Sequence, residues 1–560
     1  MAELKIKGIT CDLVEKVIDK FLIGLRESNP MLLNMFKDRN KKPYLDLNPW
    51  SGEFVGKYLT GSYYAYKLTG NEKLKQYILG VIKELISYQD EDGYLGAYSN
   101  DSKMTGANSF DPNKMEVTWD SWNHYHIMFG LYKWYKETND DAIFNSIKKI
   151  ASFYMNYFYK ENNRKLSDLG STEMNLAVYH MFGILYNETK DKKYLDFALK
   201  IEEDMKTREN TENYLEVGLK RIPFYKCKKP RWESLHPMMG YIEMYNATKE
   251  EKYLKSIEFL VDSIIETDCH NTGGFSTKEQ AIGNPYTVGP IETCCVVAFD
   301  ALLFLLYKIN LNVKYIDLLE KAHYNAMLGA IHVSGTHSTY DTPMEGYKVT
   351  NQVFNNFQTR SGSPNLNCCS VNAPRGISEI VDWMIYENDD SVYINTFEKC
   401  DYSSLSSELK IRGQFPYKNR IKIIISKSAK PIKIRIPSWS KNTKLIIDGE
   451  KTKVNSGEYY TLSNVKEVNI ILDYTLKYEK GDIDFKNKTC LYYGPILLAY
   501  DRGINDKDLI PLSKKDIKHH KATTKNNSLM LKLENGIILS DFYNAGQGGN
   551  FYTTWLDIIK

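Results

Sequence analysis

Apolar residues recur three and four positions apart through much of the first two thirds of the chain, which is the spacing of amphipathic helices. Leu74–Leu85 and Tyr253–Ile265 are two such segments. Each follows a helical stretch that ends in a Tyr three residues before a Thr. The copies read YKLTGNEKL, YKETNDDAI, YNETKDKKYL and YNATKEEKYL, with their Thr at Thr69, Thr138, Thr189 and Thr248. Each unit is therefore predicted to be a helix, a tight turn and a second helix.

A fifth copy, YKINLNVKYI, begins at Tyr307 and carries Asn310 where the others have Thr. The spacing between copies is too irregular for a regular solenoid but fits successive helical hairpins with loops of different lengths. Five hairpins and the opening helical segment Leu13–Leu25 predict a closed (α/α)6 barrel over about residues 10–380. An open helical superhelix is the alternative that the pattern leaves open.

The hydrophobic period changes after about Tyr386. Short Ile-rich segments with alternating apolar residues are separated by Gly, Pro, Asn and Lys turns, as in β-strands. The segment from Thr489 reads as further strand, whereas Ser513–Asn527, rich in Lys, His and Thr, is predicted to be a solvated loop. The chain is thus predicted to be a multidomain α plus β protein, with an (α/α)6 barrel over residues 1–385 followed by an antiparallel β-sandwich region over 386–560.

Composition narrows the function classes. Apolar residues make up 42% and charged residues 26% of the 560, as in folded domains rather than disordered chains. The 73 Lys and Arg against 70 Asp and Glu give a formal net charge of +3, so no nucleic-acid partner is expected. No signal-peptide pattern is visible, and the most apolar stretch, Val296–Leu306, is short and contains Asp300. A cytoplasmic protein without a membrane partner is therefore expected.

Nine cysteines, an odd number with two adjacent pairs, favour metal binding or catalysis over a disulfide framework in a reducing compartment. In GPIETCCVVAFDALLFLL, Glu292 and Cys294 precede an apolar helix whose N-terminal partial charge favours a thiolate. In GSPNLNCCSVNAPRG, Cys368 and Cys369 stand among Gly, Pro and Asn and are predicted to lie on a loop.

Three thiolates and one carboxylate fit a four-coordinate zinc site, because zinc accepts sulfur and oxygen ligands tetrahedrally. The spacing is not that of the common zinc ribbons, so the residues alone leave two interpretations open. One is a metal site, and the other is buried cysteines that pack as small apolar side chains. The second interpretation suits Cys295 and the cysteines at positions 11, 227, 269, 400 and 490.

A family resemblance is carried by a series of short strings in a fixed order along the chain. The strings are WSGEFVGKYLTGSYYAYKLTGN, QDEDGYLGAY, GGFSTKEQ, IETCCVVAFDALL, YNAMLGA, YDTPMEG, NCCSVNAPRGIS and YYGPILLAYD. Together they make the chain resemble glycoside hydrolase family 127, whose founding activity is β-L-arabinofuranosidase. The resemblance covers nearly the whole chain and implies the same barrel followed by β-sandwich modules. It also implies an enzyme that releases a terminal sugar, β-L-arabinofuranose, from a short oligosaccharide.

The same resemblance implies roles for individual residues. Glu292, Cys294, Cys368 and Cys369 would bind Zn²⁺, and Cys368 would also be the nucleophile of a retaining double displacement. A metal-bound thiolate stays deprotonated at neutral pH and can attack an anomeric carbon. Glu279 in GGFSTKEQ matches the family's acid/base glutamate. Its spacer to the Glu-Thr-Cys string is shorter than in the founding members, and a surface glutamate is the alternative.

Contacts with the sugar are implied for His126 in WNHYHIMFGLYKWY and His236 in WESLHPMMGYIEMY, which match two family histidines. A lone histidine at a helix start is more often structural, so these roles rest on the resemblance. Tyr340 in TYDTPMEG and Glu53 in WSGEF are further candidates for the sugar site, and both could equally be packing residues.

Several functional alternatives stay open. The segment QAIGNPYTVGP and Cys295 depart from the founding pattern, so the same chemistry could act on another furanose or on a branched acidic sugar. A non-catalytic carbohydrate-binding protein would have a closed structural zinc site and no glutamate opposite Cys368. A lyase or epimerase on the same barrel is a third reading, because a fold does not determine function. The sequence does not report the oligomeric state, and a homodimer through the β-rich region is one option.

Overall fold

The protein is represented by a computed structural model, which describes residues 3–45, 47–105, 119–160, 163–289, 291–350 and 366–559. Its α-helices in chain order are α1 (Ile9–Val17), α2 (Leu25–Ser28), α3 (Met31–Lys37), α4 (Glu53–Thr69), α5 (Glu72–Ser87), α6 (Asp120–Thr138), α7 (Asp141–Tyr157), α8 (Thr172–Asn175), α9 (Val178–Thr189), α10 (Lys192–Thr207), α11 (Tyr214–Leu219), α12 (Leu235–Thr248), α13 (Glu251–Thr267), α14 (Thr293–Asn310), α15 (Val313–Ala322), α16 (Cys368–Ser378), α17 (Ile380–Trp383) and α18 (Lys514–Lys518).

The strands in chain order are β1 (Glu3–Ile6), β2 (Glu345–Gly346), β3 (Ile385–Glu387), β4 (Val392–Ile394), β5 (Cys400–Ser403), β6 (Ser407–Gly413), β7 (Arg420–Ser428), β8 (Ile432–Ile436), β9 (Lys444–Ile447), β10 (Glu450–Thr452), β11 (Glu458–Leu462), β12 (Glu467–Ile471), β13 (Lys477–Lys480), β14 (Lys488–Tyr493), β15 (Ile496–Asp501), β16 (Leu512–Ser513), β17 (Lys521–Lys525), β18 (Ser528–Lys532), β19 (Ile538–Asp541), β20 (Tyr552–Thr553) and β21 (Leu556–Ile559).

Six inner helices surround the barrel axis. α4, α6, α9, α12, α14 and α16 pack against one another in that order, and α16 closes the ring by packing against α4. The outer helices α5, α7, α10, α13 and α15 each follow an inner helix and pack on it. α1 packs on α16 and α4 and completes the outer layer. The closed ring confirms the predicted (α/α)6 barrel rather than the open superhelix.

The repeated Tyr-x-x-Thr string forms the turn of each hairpin. In the first copy, Gly70 has a left-handed φ of 68°, and its N–H donates to the Tyr66 carbonyl (2.7 Å), which ends α4. The Thr69 hydroxyl accepts from the Asn71 N–H (3.3 Å), and the Asn71 side chain caps α5. In the fifth copy the side-chain oxygen of Asn310 replaces the hydroxyl by accepting from the N–H two residues later. The string recurs because it ends one helix and starts the next.

Helix α14 is the most apolar of the inner helices. Its 18 residues have a mean hydropathy of 1.6, so by length and composition alone it could cross a membrane. In the structure it is an inner barrel helix, and 67% of its residues are buried by its neighbours. Burial of most of its residues by the surrounding helices accounts for its composition.

The β-rich part follows the barrel. A seven-stranded sheet has the order β1-β5-β6-β7-β12-β9-β10, and a four-stranded sheet has the order β11-β8-β4-β3. The N-terminal strand β1 pairs antiparallel with β5, so the first residues of the chain join this sheet and not the barrel. A third sheet is built from β13 to β21 together with β2, which comes from a loop of the helical region. This arrangement confirms the predicted order of a helical barrel and antiparallel β sheets.

The prediction of a solvated loop over Ser513–Asn527 is wrong. This segment contains helix α18 and strand β17, which pairs antiparallel with β18. The turn between the two strands consists of Asn526 and Asn527, with φ of 51° and 57°. Two residues with positive φ are typical of a tight hairpin turn, and Asn tolerates this conformation. The strand has few apolar residues because β17 is an edge strand with largely exposed side chains.

Candidate active site

The two cysteine-bearing strings meet at one point of the barrel. Glu292, Cys294, Cys368 and Cys369 are all buried, and one ligand atom from each lies within 4.8 Å of the others. The Cys369 sulfur lies 3.4 Å from the Cys294 sulfur and 3.4 Å from Oε1 of Glu292. The sulfur of Cys368 lies 3.8 Å from the same carboxylate oxygen. Three sulfurs and one carboxylate therefore form a compact set of donors that could hold a metal ion.

Two helix N-termini position this cluster. Glu292 is the N-cap residue of α14, and Cys368 is the first residue of α16. The prediction that Cys368 lies on a loop is wrong, because Asn367 and Ser370 cap each other reciprocally and start a helix there. The Asn367 side chain accepts from the Ser370 N–H (2.9 Å), and the Ser370 hydroxyl accepts from the Asn367 N–H (2.9 Å). The first four residues of the string GSPNLNCC, 362–365, lie outside the described residues.

Burial opposes ionisation of all four donors. It raises the pKa of the Glu292 carboxyl and of the Cys368 and Cys369 thiols, and the nearby negative groups raise them further. Burial acts the same way at Cys294, but hydrogen bonds from Cys368 and Cys369 and the Lys57 ammonium outweigh it and hold the pKa of that thiol well below its usual range. Four anionic donors can therefore coexist here only with a further positive charge among them.

Lys57 lies directly beside the cluster, although nothing in its sequence context indicated this. Its side chain is 1% exposed, and its Nζ lies 3.6 Å from the Cys294 sulfur and 2.9 Å from Oε1 of Glu53. The rings of Trp122 and Trp232 flank the ammonium at 5.7 and 5.2 Å. A fully buried lysine in this position supplies one positive charge to a group of acidic donors.

A cavity of about 380 Å³ opens next to the cluster, at the N-terminal ends of the inner helices. Among the described residues it is lined by Trp50, Glu53, Trp119, Trp122, Ser171, Glu173, Met174, Arg231, Trp232, Glu233, Glu279, Glu292, Tyr340 and Cys368. Of the three clustered cysteines only Cys368 is in this set. The predicted nucleophile and the predicted acid/base group, Glu279, therefore share one cavity.

Glu279 is carried by a tight turn. The N–H and carbonyl groups of Thr277 and Gln280 bond each other at 3.0 and 3.1 Å, and the two residues between them, Lys278 and Glu279, have φ of 49° and 69°. This left-handed pair is normal for Asn-Gly but strained for Lys-Glu. The turn pairs with the segment before α12, since the Trp232 N–H donates to the Glu279 carbonyl (3.2 Å). These backbone hydrogen bonds thus fix the position of the Glu279 backbone, from which the side chain extends.

Relief of this strain should be measurable. We expect Lys278→Gly to raise the free energy of unfolding by about 1 kcal/mol, because glycine adopts positive φ freely and the exposed Lys278 side chain is not needed for the turn. The matched control is Lys83→Gly in the middle of α5, which should lower it by about 1 kcal/mol. Urea unfolding of both variants measures the two values. Destabilisation by both substitutions would contradict the strained turn.

Two side chains hold the Glu279 carboxylate. The Tyr340 hydroxyl donates to Oε1 at 3.2 Å, and a guanidinium nitrogen of Arg231 lies 2.7 Å from Oε2. Arg231 also pairs with the buried Glu233 at 2.7 and 3.1 Å. Burial raises the pKa of Glu233 to about 7 even though Arg231 opposes this. The arginine therefore bridges two carboxylates on the cavity wall.

The remaining predicted residues fall into two groups. Glu53 lines the cavity, accepts a hydrogen bond from the Trp122 indole and pairs with Lys57; burial raises its pKa to about 7. His126 and His236 do not line the cavity in the described part of the chain. They pack edge-on against Trp122 with ring centroids 4.5 and 4.8 Å away. Both histidines thus lie one layer behind the wall, where burial holds their pKa well below its usual range.

Sequence reasoning missed several wall residues. The string RWE, residues 231–233, ends three residues before the predicted His236, and its charged pair around a Trp near a helix start was the available signal. Trp122 begins the string WNHYHIMFGLYKWY. Whether its side chain reaches the cavity wall depends on how α6 is rotated in the ring, which the sequence does not show. A thiol, several carboxyl groups and four tryptophans around one cavity are equipped for nucleophilic and acid/base chemistry on a ring-shaped substrate.

Comparison with known proteins adds a family. The model of the GH127 β-L-arabinofuranosidase catalytic domain matches residues 25–382, and that of the GH127 middle domain matches residues 391–471. No curated protein sequence is significantly similar to the chain.

Three solved structures share the fold over the whole chain. A GH127 β-arabinofuranosidase, BT3674, has a TM-score of 0.80 at 18% identity and is covered over 97% of its length. Ara127N, a GH127 β-L-arabinofuranosidase from Geobacillus stearothermophilus T6, has a TM-score of 0.79 at 15% identity and is covered over 100%. A structure described as a glycoside hydrolase has a TM-score of 0.76 at 15% identity and is covered over 97%. At sequence identities of 15–18%, these similarities show that the fold is shared.

Proposed function

This chain belongs to glycoside hydrolase family 127, and on that premise we propose that it is a retaining, exo-acting β-L-arabinofuranosidase that removes a terminal sugar from a short oligosaccharide. One observation carries the proposal: Cys368 and Glu279 line the same cavity of about 380 Å³. A nucleophile and an acid/base group on one sugar-sized cavity are what a double displacement requires.

Glu292, Cys294, Cys368 and Cys369 are the proposed ligands of a Zn²⁺ ion. Three sulfurs and one carboxylate oxygen within 4.8 Å of one another are a donor set typical of zinc. The charge of the site supports the same conclusion. Burial raises the pKa of three of the four donors, and a bound cation would lower these pKa values by stabilising the anionic forms. Bound zinc would keep the Cys368 sulfur deprotonated at neutral pH.

In the first step the Cys368 thiolate attacks the anomeric carbon. The glycosidic C–O bond breaks, and Glu279 gives its proton to the departing oxygen. The sugar is then joined to Cys368 through a C–S bond with inverted configuration. In the second step Glu279 takes a proton from water, the water oxygen attacks the anomeric carbon, and the thiolate leaves. Two inversions give net retention of configuration.

Tyr340 and Arg231 keep the Glu279 carboxyl in one orientation through its two oxygens. Arg231 also contacts the buried Glu233, so one guanidinium holds both carboxyl groups on the cavity wall. Trp122 and Trp232 supply aromatic wall for the sugar ring. These residues position the reacting groups and exclude water.

The cavity favours an uncharged sugar over the branched acidic sugar that the sequence left open. Its described wall carries five glutamates (Glu53, Glu173, Glu233, Glu279 and Glu292) and a single cation, Arg231, which already pairs with two of them. A carboxylate on the substrate would lie among these acidic side chains with no free cation of the described wall to pair with.

Turnover of a panel of nitrophenyl glycosides tests the function. We expect hydrolysis of β-L-arabinofuranoside with retention at the anomeric carbon by proton NMR, and no turnover of pyranosides. A sugar-acid glycoside hydrolysed faster than the arabinofuranoside would contradict the substrate. Inversion at the anomeric carbon would contradict the double displacement.

Removal of the Lys57 charge should weaken metal binding. We expect Lys57→Met to raise the zinc dissociation constant by about 10- to 100-fold, since an ammonium 3.6 Å from the Cys294 sulfur offsets the charge of the donors. Competition with a chromophoric chelator measures the constant independently of turnover. The matched control is Lys67→Met on the same helix, where the ammonium pairs with Glu137 at the barrel surface. Equal zinc affinity in the two variants would refute the role of Lys57.

A further inference from the structure

A second cavity, of about 340 Å³, lies at the opposite end of the barrel axis. All six inner helices contribute to its wall, mostly through residues beyond their N-terminal turns, which carry the cysteine cluster. The two cavities are separated by a layer of rings. Trp122 lines the first, His180 lines the second, and Tyr125 connects them by stacking on Trp122 and bonding the His180 ring (3.0 Å). The second cavity is thus a separate site.

Asp300 is the clearest sign that this cavity binds something. It stands alone in the most apolar stretch of the chain, Val296–Leu306, and its side chain lines the cavity while only 7% of the residue is exposed. Its Oδ1 has no hydrogen-bond partner among the described residues. Burial and the Glu379 carboxylate raise the pKa of Asp300 well above its usual range, which favours the neutral acid, a group that can donate and accept. An unpartnered buried carboxyl is destabilising, so a ligand that bonds it gains affinity.

A second group with unmet hydrogen-bonding capacity is His323, which is 2% exposed. The Thr10 hydroxyl donates to Glu398 (2.6 Å), so it accepts from the Nε2–H of His323 (2.9 Å). This fixes the tautomer, and Nδ1 becomes a bare acceptor without a partner in the described part of the protein. Asn187 also carries an acceptor without a partner. Its amide nitrogen donates to Glu243 (2.7 Å), and its side-chain oxygen has no hydrogen-bond partner among the described residues.

Lys133 adds a donor. Its ammonium lies 5.0 Å from the Tyr64 ring and 5.2 Å from the Phe129 ring, and no carboxylate of the described residues lies within ion-pair distance. Arg375, the other buried cation of the wall, is already paired with Glu379 at 2.6 Å. The wall therefore presents a donor, two acceptors and a carboxyl group beside aromatic rings, with charges of both signs.

From this set we propose that the second cavity binds one uncharged, hydroxyl-rich molecule of monosaccharide size. Hydroxyl groups both donate and accept, so they can satisfy Asp300, His323, Asn187 and Lys133 together. A carboxylate ligand would meet Glu379 and Asp382, and a cation would meet Lys133, Lys308 and Arg375, so neither charge sign is favoured throughout the wall. Phe129 and Phe304 supply apolar wall for the C–H groups of a sugar ring. This site goes beyond the proposed hydrolysis, which supplies only the choice of probe.

Equilibrium dialysis with radiolabelled L-arabinose tests the proposal. Wild type is expected to bind one more sugar per chain than Asp300→Leu, whereas Asp300→Asn, which keeps a donor and an acceptor, binds as wild type does. Loss of these hydrogen bonds should raise the dissociation constant by about tenfold or more. Ala301→Phe, which fills the cavity and leaves every polar group in place, should also remove that sugar. L-arabinonate, the carboxylate analogue, should not compete.

Identical binding in wild type, Asp300→Leu and Ala301→Phe would overturn the proposal, as would a complete lack of sugar binding that leaves the cavity to water. Competition by L-arabinonate equal to that by arabinose would overturn the uncharged class. Hydrolysis of the nitrophenyl arabinofuranoside, measured on the same variants, should equal that of wild type. That assay reports on the proposed function alone, so failure of one proposal is distinguishable from failure of the other.

Discussion

Substitution of serine for Cys368 is expected to lower kcat by roughly 10⁴-fold or more, because the variant lacks the atom that forms the C–S bond. Cys368 is the only one of the three clustered cysteines that lines the cavity in the described structure. The measurement is steady-state turnover of a nitrophenyl β-L-arabinofuranoside, with bound zinc determined by mass spectrometry on the same samples.

The matched variant for this experiment is Cys369→Ser. Cys369 belongs to the same donor set and is fully buried, but it does not line the cavity. Its loss should weaken zinc binding while leaving the nucleophile in place, so added zinc should restore part of the turnover. Cys368→Ser should stay inactive at every zinc concentration. Recovery of Cys368→Ser by zinc would assign the residue a purely structural role.

Glu279→Gln is expected to lower kcat by about 10²–10⁴-fold on a substrate with a poorly acidic leaving group. With a dinitrophenyl glycoside the first step needs no proton, so the variant should release one equivalent of phenol in a burst and then stall. Azide, which needs no base, should rescue the second step and give a glycosyl azide of retained configuration. Burst kinetics and product analysis measure both effects.

Glu233→Gln is the matched control, since Glu233 also lines the cavity and pairs with the same Arg231. It should lose turnover without a burst and without azide rescue. A loss in Glu279→Gln that is the same for every leaving group would contradict an acid/base role for Glu279.

The helical hairpins of the barrel could be predicted because each depends on a short stretch of local sequence. The Tyr-x-x-Thr string encodes the end of one helix and the cap of the next within a few residues, so repeated copies such as that at Tyr66 reveal the hairpins and the barrel. Two local signals were overlooked. Reciprocal capping by Asn367 and Ser370 starts α16 where Gly, Pro and Asn suggested a loop. The Asn-Asn turn ahead of β18 makes a hairpin from a polar segment.

The walls of the cavity were less accessible to sequence reasoning, because they depend on contacts between distant segments. Tyr340 bonds Glu279 across 61 residues, and Lys57 reaches Cys294 across 237. The resemblance pointed to the cysteine cluster, which the structure brings together. It did not indicate that Arg231 links two carboxylates, and the sugar-binding roles of His126 and His236 stay predictions.

The central claim is a covalent bond between the sugar and Cys368. The direct measurement is peptide mass spectrometry of Glu279→Gln after incubation with the dinitrophenyl β-L-arabinofuranoside and an acid quench, because this variant should accumulate the intermediate. The account predicts the mass of one pentosyl group on Cys368 and none on Cys294 or Cys369. A burst of phenol with an unmodified Cys368, or with the sugar on another residue, would contradict it.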